Sequence, residues 1–87
     1  MKTANAVINN PIGLHARPAA QFTQIAAKYQ SKITLQKEAK VIDAKSIIKV
    51  LSLGIKQGTV IKINAEGPDE KEAIDALVKL IKSNFGE

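Results

Sequence analysis

Apolar and polar side chains alternate along several segments of the chain, and this period of two predicts strands. The alternation covers residues 4–9, 31–37 and 59–66. A short apolar pair at 41–42 follows a turn near 37–40 and predicts a brief additional strand. In each long segment the apolar side chains fall mainly on one set of alternate positions, so each strand should bury one face.

Three other segments carry the spacing of amphipathic helices. The first helix should begin at Ala16. The second should be capped by Ser46, run through Leu53 and end at the glycine that follows. The third should start at Asp69, which together with Glu72 resembles a capping box. The apolar stripes of the first and third helices are Phe22, Ile25, Ala26 and Tyr29, and Ile74, Leu77, Val78 and Ile81.

The predicted order of elements is therefore βαββαβα. Strands with one apolar face and three amphipathic helices imply an open-faced sandwich, in which helices cover one side of a single sheet. At 87 residues, with no linker, repeat or low-complexity segment, the chain should form one domain. Hydrophobic residues make up 45% of the chain but only three are aromatic, so the core should be aliphatic.

Charge is unevenly distributed along the chain. The net charge is +5, but residues 1–62 carry +8 and residues 63–87 carry −3. A basic face suits an anionic partner such as nucleic acid, a membrane surface or an acidic protein, although the lysines could simply solvate the surface. The absence of cysteine excludes disulfides and thiolate chemistry. No apolar run suits a signal peptide or a membrane span, so we expect a soluble cytoplasmic protein.

The candidate chemistry lies in the segment GLHARPAA at residues 13–20, which contains the only histidine, His15. An imidazole nitrogen can attack phosphorus, and the guanidinium of Arg17 supplies a fixed positive charge nearby. If the helix begins at Ala16, the amides of Ala16 and Arg17 are unpaired donors facing the His15 side chain. Pro18 fits the first turn without losing an internal hydrogen bond. This layout is typical of a histidine that carries a phosphoryl group.

Simpler interpretations exist for each residue taken alone. His15 could be a polar cap near a helix start, and Arg17 could be a solvated side chain. A metal site is not indicated, because the chain has no second histidine and no cysteine. The spacing also offers no evidence for a hydrolytic triad built on His15.

Nearly the whole chain resembles the HPr family, the histidine phosphocarriers of the bacterial sugar phosphotransferase system. The resemblance implies a single domain over residues 1–87 with a four-stranded antiparallel sheet covered on one side by three helices. The matching segments are GLHARPA at 13–19, AKS at 44–46, LGI at 53–55, QGTV at 57–60, AEG at 65–67 and the acidic pair at 69–70.

The resemblance also implies a mechanism. Enzyme I, charged by phosphoenolpyruvate, would transfer its phosphoryl group to Nδ1 of His15, which would pass it to a sugar-specific enzyme IIA. Arg17 would stabilise the phosphoryl group, with the amides of Ala16 and Arg17 as further donors. The chain would then be a substrate of two enzymes rather than an enzyme itself. It would work as a monomer without a cofactor.

A docking surface for Enzyme I and enzyme IIA is implied on the second helix, beside the histidine. Arg17, Lys45 and Lys49 would form a cationic rim suited to an acidic, transient partner. The alternative for Ile47 and Leu51 is packing in the core. The expected docking residues are Ala20, Ile47, Ile48, Lys49 and Leu51.

Ser46 has two interpretations. It could be a plain helix N-cap, or it could be phosphorylated by an HPr kinase/phosphorylase so that the chain joins a catabolite-control regulator, as in many Gram-positive relatives. Many Gram-positive relatives read Ile-Met-Gly after this serine, whereas enteric ones carry a lysine at the position of Lys49. The sequence Ile47–Lys49 mixes these two patterns. Ile12 is a second departure, because many relatives carry there a small polar residue able to approach the phosphate.

Three alternative functions remain open at this point. A nitrogen-related phosphotransferase carrier would use the same histidine for regulation. A small basic nucleic-acid-binding module would need aromatic residues for base stacking, and this chain has few. A purely structural interaction domain would not need His15 or Arg17.

Overall fold

The computed structural model describes residues 1–86. Four strands and three α-helices follow the predicted order, and a short 3₁₀ helix follows the third α-helix. In chain order they are β1 Lys2–Val7, α1 Ala16–Ala27, β2 Lys32–Lys37, β3 Lys40–Asp43, α2 Ile47–Ser52, β4 Val60–Glu66, α3 Glu70–Lys82 and the 3₁₀ helix Asn84–Gly86. Each element lies within about two residues of the predicted position.

The four strands form one antiparallel sheet in the order β1-β4-β2-β3. Ala4 of β1 and Leu35 of β2 both pair with Ile63 of β4, and Ile42 of β3 pairs with Leu35. A row of apolar side chains therefore crosses the sheet on one face, as the alternation predicted. All three α-helices lie over one side of the sheet, which confirms the open-faced sandwich.

The core is aliphatic apart from Phe22 and Phe85, both of which are buried. Val50 is the buried residue of α2, whereas α1 and α3 each bury a full stripe. The fully buried large aliphatic side chains are Ile8, Ile33, Leu35, Val50, Ile61, Ile63, Leu77 and Ile81. The burial of Phe85 at the 3₁₀ helix was not predicted, since the pattern gave no element after α3.

The opposite face of the sheet is polar where strands β1, β4 and β2 meet. The Thr3 hydroxyl donates to Asn64 Oδ1 (2.9 Å), and Asn64 Nδ2 donates to Thr34 Oγ1 (3.3 Å). Among residues 1–86, the remaining aromatic side chain, Tyr29, is partly buried and packs against the core. The open face thus offers no aromatic platform for base stacking, which argues against the nucleic-acid module.

Two local predictions were wrong. Tyr29 lies beyond the end of α1 and does not continue its helical stripe. Asp69 occupies the N-cap position of α3, but its side chain does not cap that helix. Its carboxylate instead accepts hydrogen bonds from the backbone amides of Gln30 (2.9 Å) and Ser31 (3.0 Å) and from the Ser31 hydroxyl. The carboxylate joins the start of α3 to the α1–β2 turn, because these three donors outcompete the helix amides.

These hydrogen bonds predict an acid-sensitive contribution to stability. Donation from the Ser31 hydroxyl, followed by the Gln30 amide, lowers the pKa of Asp69 below its ordinary value of 3.8. A lowered folded-state pKa stabilises the fold above the unfolded-state value, and this contribution disappears as the pH falls through the folded-state pKa. We expect Asp69→Asn to lower the urea midpoint at pH 7, with a smaller difference from wild type near pH 3.

Glu70→Gln is the matched control for that comparison. The Gly67 amide and the N-terminal ammonium group lower the pKa of Glu70, so this variant should also flatten the acid limb of the stability curve. Glu70 accepts from the Gly67 amide and pairs with the N-terminus, whereas Asp69 accepts directly from Gln30 and Ser31. Substitution of Glu70 should therefore change amide exchange at Ser31 much less than Asp69→Asn does. A midpoint difference for Asp69→Asn that is constant from pH 3 to pH 7 would contradict the assignment.

Candidate functional site

A tight turn over residues 10–13 precedes the candidate histidine. The Gly13 amide donates to the Asn10 carbonyl (2.9 Å), and Asn10 Nδ2 donates back to the Gly13 carbonyl. Asn10 is only 1% exposed, and Gly13 adopts a positive φ of +79°. The turn is therefore closed by two hydrogen bonds and held by a buried side chain, which fixes the backbone entering the site.

The turn is fastened to the segment that follows α2. The Leu14 amide donates to the Ile55 carbonyl (3.0 Å), and Leu14 and Ile55 are both buried. At Gly13 an added Cβ would lie 2.4 Å from the Ile55 carbonyl oxygen and 2.8 Å from Lys56 Cα. Glycine is required here by close backbone approach as well as by the positive φ. The segment that follows α2 and the residue before His15 are thus neighbours.

His15 occupies the N-cap position of α1, directly before the helix start at Ala16. Its backbone is extended (φ −82°, ψ −169°), its carbonyl accepts from the Ala19 amide (2.9 Å), and its imidazole does not cap the helix. The side chain is partly exposed. Pro18 sits in the first turn, where its missing amide costs no internal hydrogen bond. The helix start predicted at Ala16 is confirmed.

The start of α1 is an electropositive environment. Ala16 and Arg17 are in the first turn, whose amides lie outside the i to i−4 pattern, and both residues are exposed. Within residues 1–86 the one ion pair joins the N-terminus to Glu70, so no carboxylate of this part neutralises Arg17. A helix N-terminus next to an uncompensated guanidinium favours an anionic group.

The second helix presents an apolar surface rather than a fully buried stripe. Ile47 is 37% exposed, Ile48 78% and Leu51 39%, whereas Val50 on the other side is fully buried. Ile47 and Leu51 are therefore only partly covered by the protein and are not core residues, which was the alternative for them. Helices α1 and α2 contact one another, which places this surface beside the helix that carries the histidine. Of the other predicted docking residues, Ala20 is partly exposed and Lys49 is exposed.

Ser46 is the N-cap of α2, and its hydroxyl accepts from the Lys49 amide (3.4 Å). The structural interpretation of this serine is confirmed. Its regulatory phosphorylation stays a prediction. Lys45, expected on the cationic rim, is partly buried because its ammonium group donates to the Tyr29 carbonyl (2.7 Å). This hydrogen bond joins the segment before α2 to the segment after α1.

Two supporting residues were missed by the sequence analysis. Asn10 could have been suspected from the turn signal Asn-Pro-Ile-Gly that it opens. Lys37 gives no such signal, because its role depends on a contact far along the chain. Its ammonium group donates to the carbonyls of Leu53 (2.9 Å) and Gly54 (3.3 Å), where it satisfies the C-terminal end of α2.

Metal and membrane chemistry find no support in the described part of the chain. Residues 1–86 contain no cluster of three or more histidine, cysteine or acidic side chains that could hold a metal ion. None of the helices over that range is long and apolar enough to cross a membrane.

The chain is similar to known proteins over nearly its whole length. A sequence model of the family described as "PTS HPr component phosphorylation site" matches residues 2–83. The phosphocarrier protein HPr of Cupriavidus necator is 40% identical over 87 residues, which cover 100% of this chain and 98% of that protein.

Solved structures show the same relationship. The crystal structure of HPr-C-His from Thermoanaerobacter tengcongensis is 55% identical, with a TM-score of 0.97 and coverage of 100% of this chain and 98% of that one. HPr from Bacillus anthracis is 38% identical, with a TM-score of 0.88 and coverage of 92% and 95%. With the family match spanning nearly the whole chain and the histidine at the start of α1, the chain belongs to the HPr family, the phosphocarrier proteins of the phosphotransferase system.

Proposed function

We propose that this chain relays a phosphoryl group from Enzyme I to sugar-specific enzyme IIA proteins during sugar uptake, with Nδ1 of His15 as the acceptor and donor atom. The observation that carries the proposal is the position of His15. A partly exposed imidazole stands at the N-cap of a 12-residue helix without capping it, and Arg17 is two residues away. That arrangement suits capture of an anionic group by a nitrogen nucleophile.

The transfer needs no redox partner. The lone pair of the imidazole nitrogen attacks the phosphorus carried by phospho-Enzyme I and a new N–P bond forms. The bond from phosphorus to the donor atom of Enzyme I breaks, and its electron pair returns to that atom. During the transfer the negative charge is spread over the equatorial phosphoryl oxygens. The protein therefore speeds the reaction mainly by positioning hydrogen-bond donors and positive charge around those oxygens. Arg17 supplies a permanent positive charge and can donate two hydrogen bonds to the phosphoryl oxygens. The Ala16 and Arg17 amides add the positive electrostatic potential of the helix N-terminus.

A carrier must also release what it captures. Donors that hold the phosphorylated state too tightly would slow the second transfer, because only interactions stronger in the transition state speed the reaction. The site has that open character: Arg17 is exposed, and Ile12 on the preceding turn offers no polar side-chain atom to the phosphate. This exposure would let Enzyme I and enzyme IIA approach His15 from the same side, one after the other.

The exposed side of α2 supports the docking of both partners. Ile47, Ile48 and Leu51 provide apolar contact, and Lys49 adds positive charge at its edge. An apolar patch bordered by cations fits a partner with acidic residues around an apolar recess, and such charge complementarity mainly raises the rate of encounter. This property suits a protein that must bind and leave two enzymes in each cycle.

The test is phosphorylation in solution. Incubation with phosphoenolpyruvate and Enzyme I is expected to add one phosphoryl group by intact-mass analysis. Fragmentation should place that group on the peptide containing residue 15. The group should be lost in mild acid and should move to enzyme IIA when that protein is added. Failure of the chain to gain mass beside a control HPr that is charged by the same Enzyme I would contradict the proposal.

A further inference from the structure

A cavity of about 670 Å³ lies at the edge of the sheet, where β2 begins, β3 ends and the chain passes to α2. This volume is typical of small-molecule sites in proteins. The lining consists of residues 30–34 and 41–43 together with Lys45 and Lys49. The lining includes no residue from the start of α1, so the cavity is distinct from the phosphoryl site at His15.

Positive charge dominates the lining of this cavity. Lys32, Lys45 and Lys49 contribute three cations. The one carboxylate of the lining belongs to Asp43. Within residues 1–86 the one ion pair joins the N-terminus to Glu70, so none of the three ammonium groups is paired with a carboxylate of this part. An anionic ligand would be attracted to the cavity and would gain charge-assisted hydrogen bonds there.

One of the three cations is held in place by the fold. Lys45 is partly buried, and its ammonium group donates to the Tyr29 carbonyl (2.7 Å). An ammonium group has three N–H donors, so two of them remain for a ligand. A side chain that is already fixed loses little rotational freedom on binding. Lys45 therefore gives the cavity a preorganised cation, which flexible surface lysines alone would not provide.

The lining also contains groups that suit hydroxyls. Asp43 Oδ1 accepts from the Lys45 amide (2.9 Å), which leaves the second carboxylate oxygen as an acceptor. Thr34 Oγ1 accepts from Asn64 Nδ2 (3.3 Å), so the hydroxyl hydrogen of Thr34 remains available for donation. Asp43 would repel a bare phosphate ion, whereas it would accept a hydrogen bond from a hydroxyl group. The combination favours a ligand that carries both phosphate and hydroxyl groups.

We propose that this cavity binds a phosphate monoester of a polyol, such as a sugar phosphate. The phosphate oxygens would accept from Lys32, Lys45 and Lys49. The hydroxyl groups would bind the free oxygen of Asp43 and the hydroxyl of Thr34. Among residues 1–86 no aromatic side chain lines the cavity, so a nucleobase would find no stacking partner there. The site is separate from the proposed relay, because no step of phosphoryl transfer passes through it.

The test titrates ribose 5-phosphate, ribose and inorganic phosphate into ¹⁵N-labelled protein at constant pH and ionic strength. Amide chemical shifts of residues 30–34 and 43–45 report on the cavity, and those of residues 16–17 report on the phosphoryl site. Ribose 5-phosphate is expected to shift the cavity amides saturably and to bind about tenfold more tightly than inorganic phosphate, since its hydroxyls add hydrogen bonds. Ribose should give no saturable shift.

Lys32→Ala is expected to weaken binding of ribose 5-phosphate roughly fivefold, because one charge-assisted hydrogen bond is lost at an exposed position. Lys62→Ala is the matched control. Lys62 is an exposed lysine of β4 outside the lining, so this variant has the same net charge but should bind like wild type.

Asp43→Asn tests the selection of hydroxyl groups. Asparagine keeps the Oδ1 atom that accepts from the Lys45 amide, so the fold should be retained. With the negative charge removed, inorganic phosphate should bind more tightly, and the preference for ribose 5-phosphate over inorganic phosphate should shrink to about threefold or less.

The contrary outcomes are distinct. Shifts confined to residues 16–17 would assign the anion to the phosphoryl site and overturn the cavity. Equal weakening by Lys32→Ala and Lys62→Ala would show attraction by net charge without a site. Equal affinity for ribose and ribose 5-phosphate would exclude the phosphate contact, and an unchanged preference in Asp43→Asn would exclude the hydroxyl contact. None of these measurements uses Enzyme I, so they decide the cavity independently of the proposed function.

Discussion

Substitution of His15 by alanine is expected to abolish phosphoryl transfer while leaving the fold intact. His15 is the only histidine, so no other imidazole can accept the group from phospho-Enzyme I. Its backbone at φ −82°, ψ −169° is ordinary extended geometry, and the hydrogen bond from the Ala19 amide is to its carbonyl, which alanine retains. The imidazole is partly exposed and lies outside the hydrophobic core, so the free energy of unfolding should change by no more than about 1 kcal/mol.

A competition experiment separates chemistry from docking in this variant. His15→Ala keeps Arg17 and the exposed apolar side chains of α2, so it should inhibit charging of the wild type at concentrations near the wild-type KM. Mass analysis should show no phosphoryl group on the variant itself. Acid-stable phosphate on the variant would instead reveal a serine or threonine acceptor. Loss of both transfer and inhibition, with a native unfolding curve, would show that the imidazole also takes part in docking.

Much of the fold is predictable from the sequence because the relevant signals are local. The period-two segments, the helix start at Ala16 and the cap at Ser46 each depend on residues within a few positions of one another, and all three are confirmed. The alternation also decides which face of each strand is buried, since a one-residue slip would expose the whole apolar set. The same local logic locates the candidate histidine at a helix start.

The remaining features depend on contacts between distant segments. Alternation indicates a buried face but not a neighbour, so the order β1-β4-β2-β3 could not be derived from the period alone. Asp69 shows the same limit: locally it resembles a capping residue, yet its carboxylate binds Ser31, 38 residues away. Lys37 is a third case, because its ammonium group donates to the Leu53 carbonyl at the end of α2, 16 residues away. In each, a long-range partner decides the role of a side chain whose local pattern permits several.

Gly13 is where such a long-range contact controls the site, and Gly13→Ala is expected to cost roughly 2–4 kcal/mol of unfolding free energy. Part of the cost is the positive φ of +79°, which alanine adopts with difficulty. The rest arises because Cβ would lie 2.4 Å from the Ile55 carbonyl oxygen, so the backbone must separate. That separation would weaken the hydrogen bond from the Leu14 amide to Ile55 and displace His15, which should also slow phosphoryl transfer.

Gly58→Ala is the matched control for this prediction, because it isolates the backbone conformation from the close approach. Gly58 has a similar φ of +88°, but an added Cβ there would have no neighbour within 4 Å. Its substitution should therefore cost only about 1–2 kcal/mol, the penalty of the left-handed conformation. Chemical denaturation measures both values, and transfer from phospho-Enzyme I measures the displacement of His15. Equal destabilisation by the two substitutions, with equal transfer rates, would show that the contact between Gly13 and Ile55 does not hold the acceptor histidine in place.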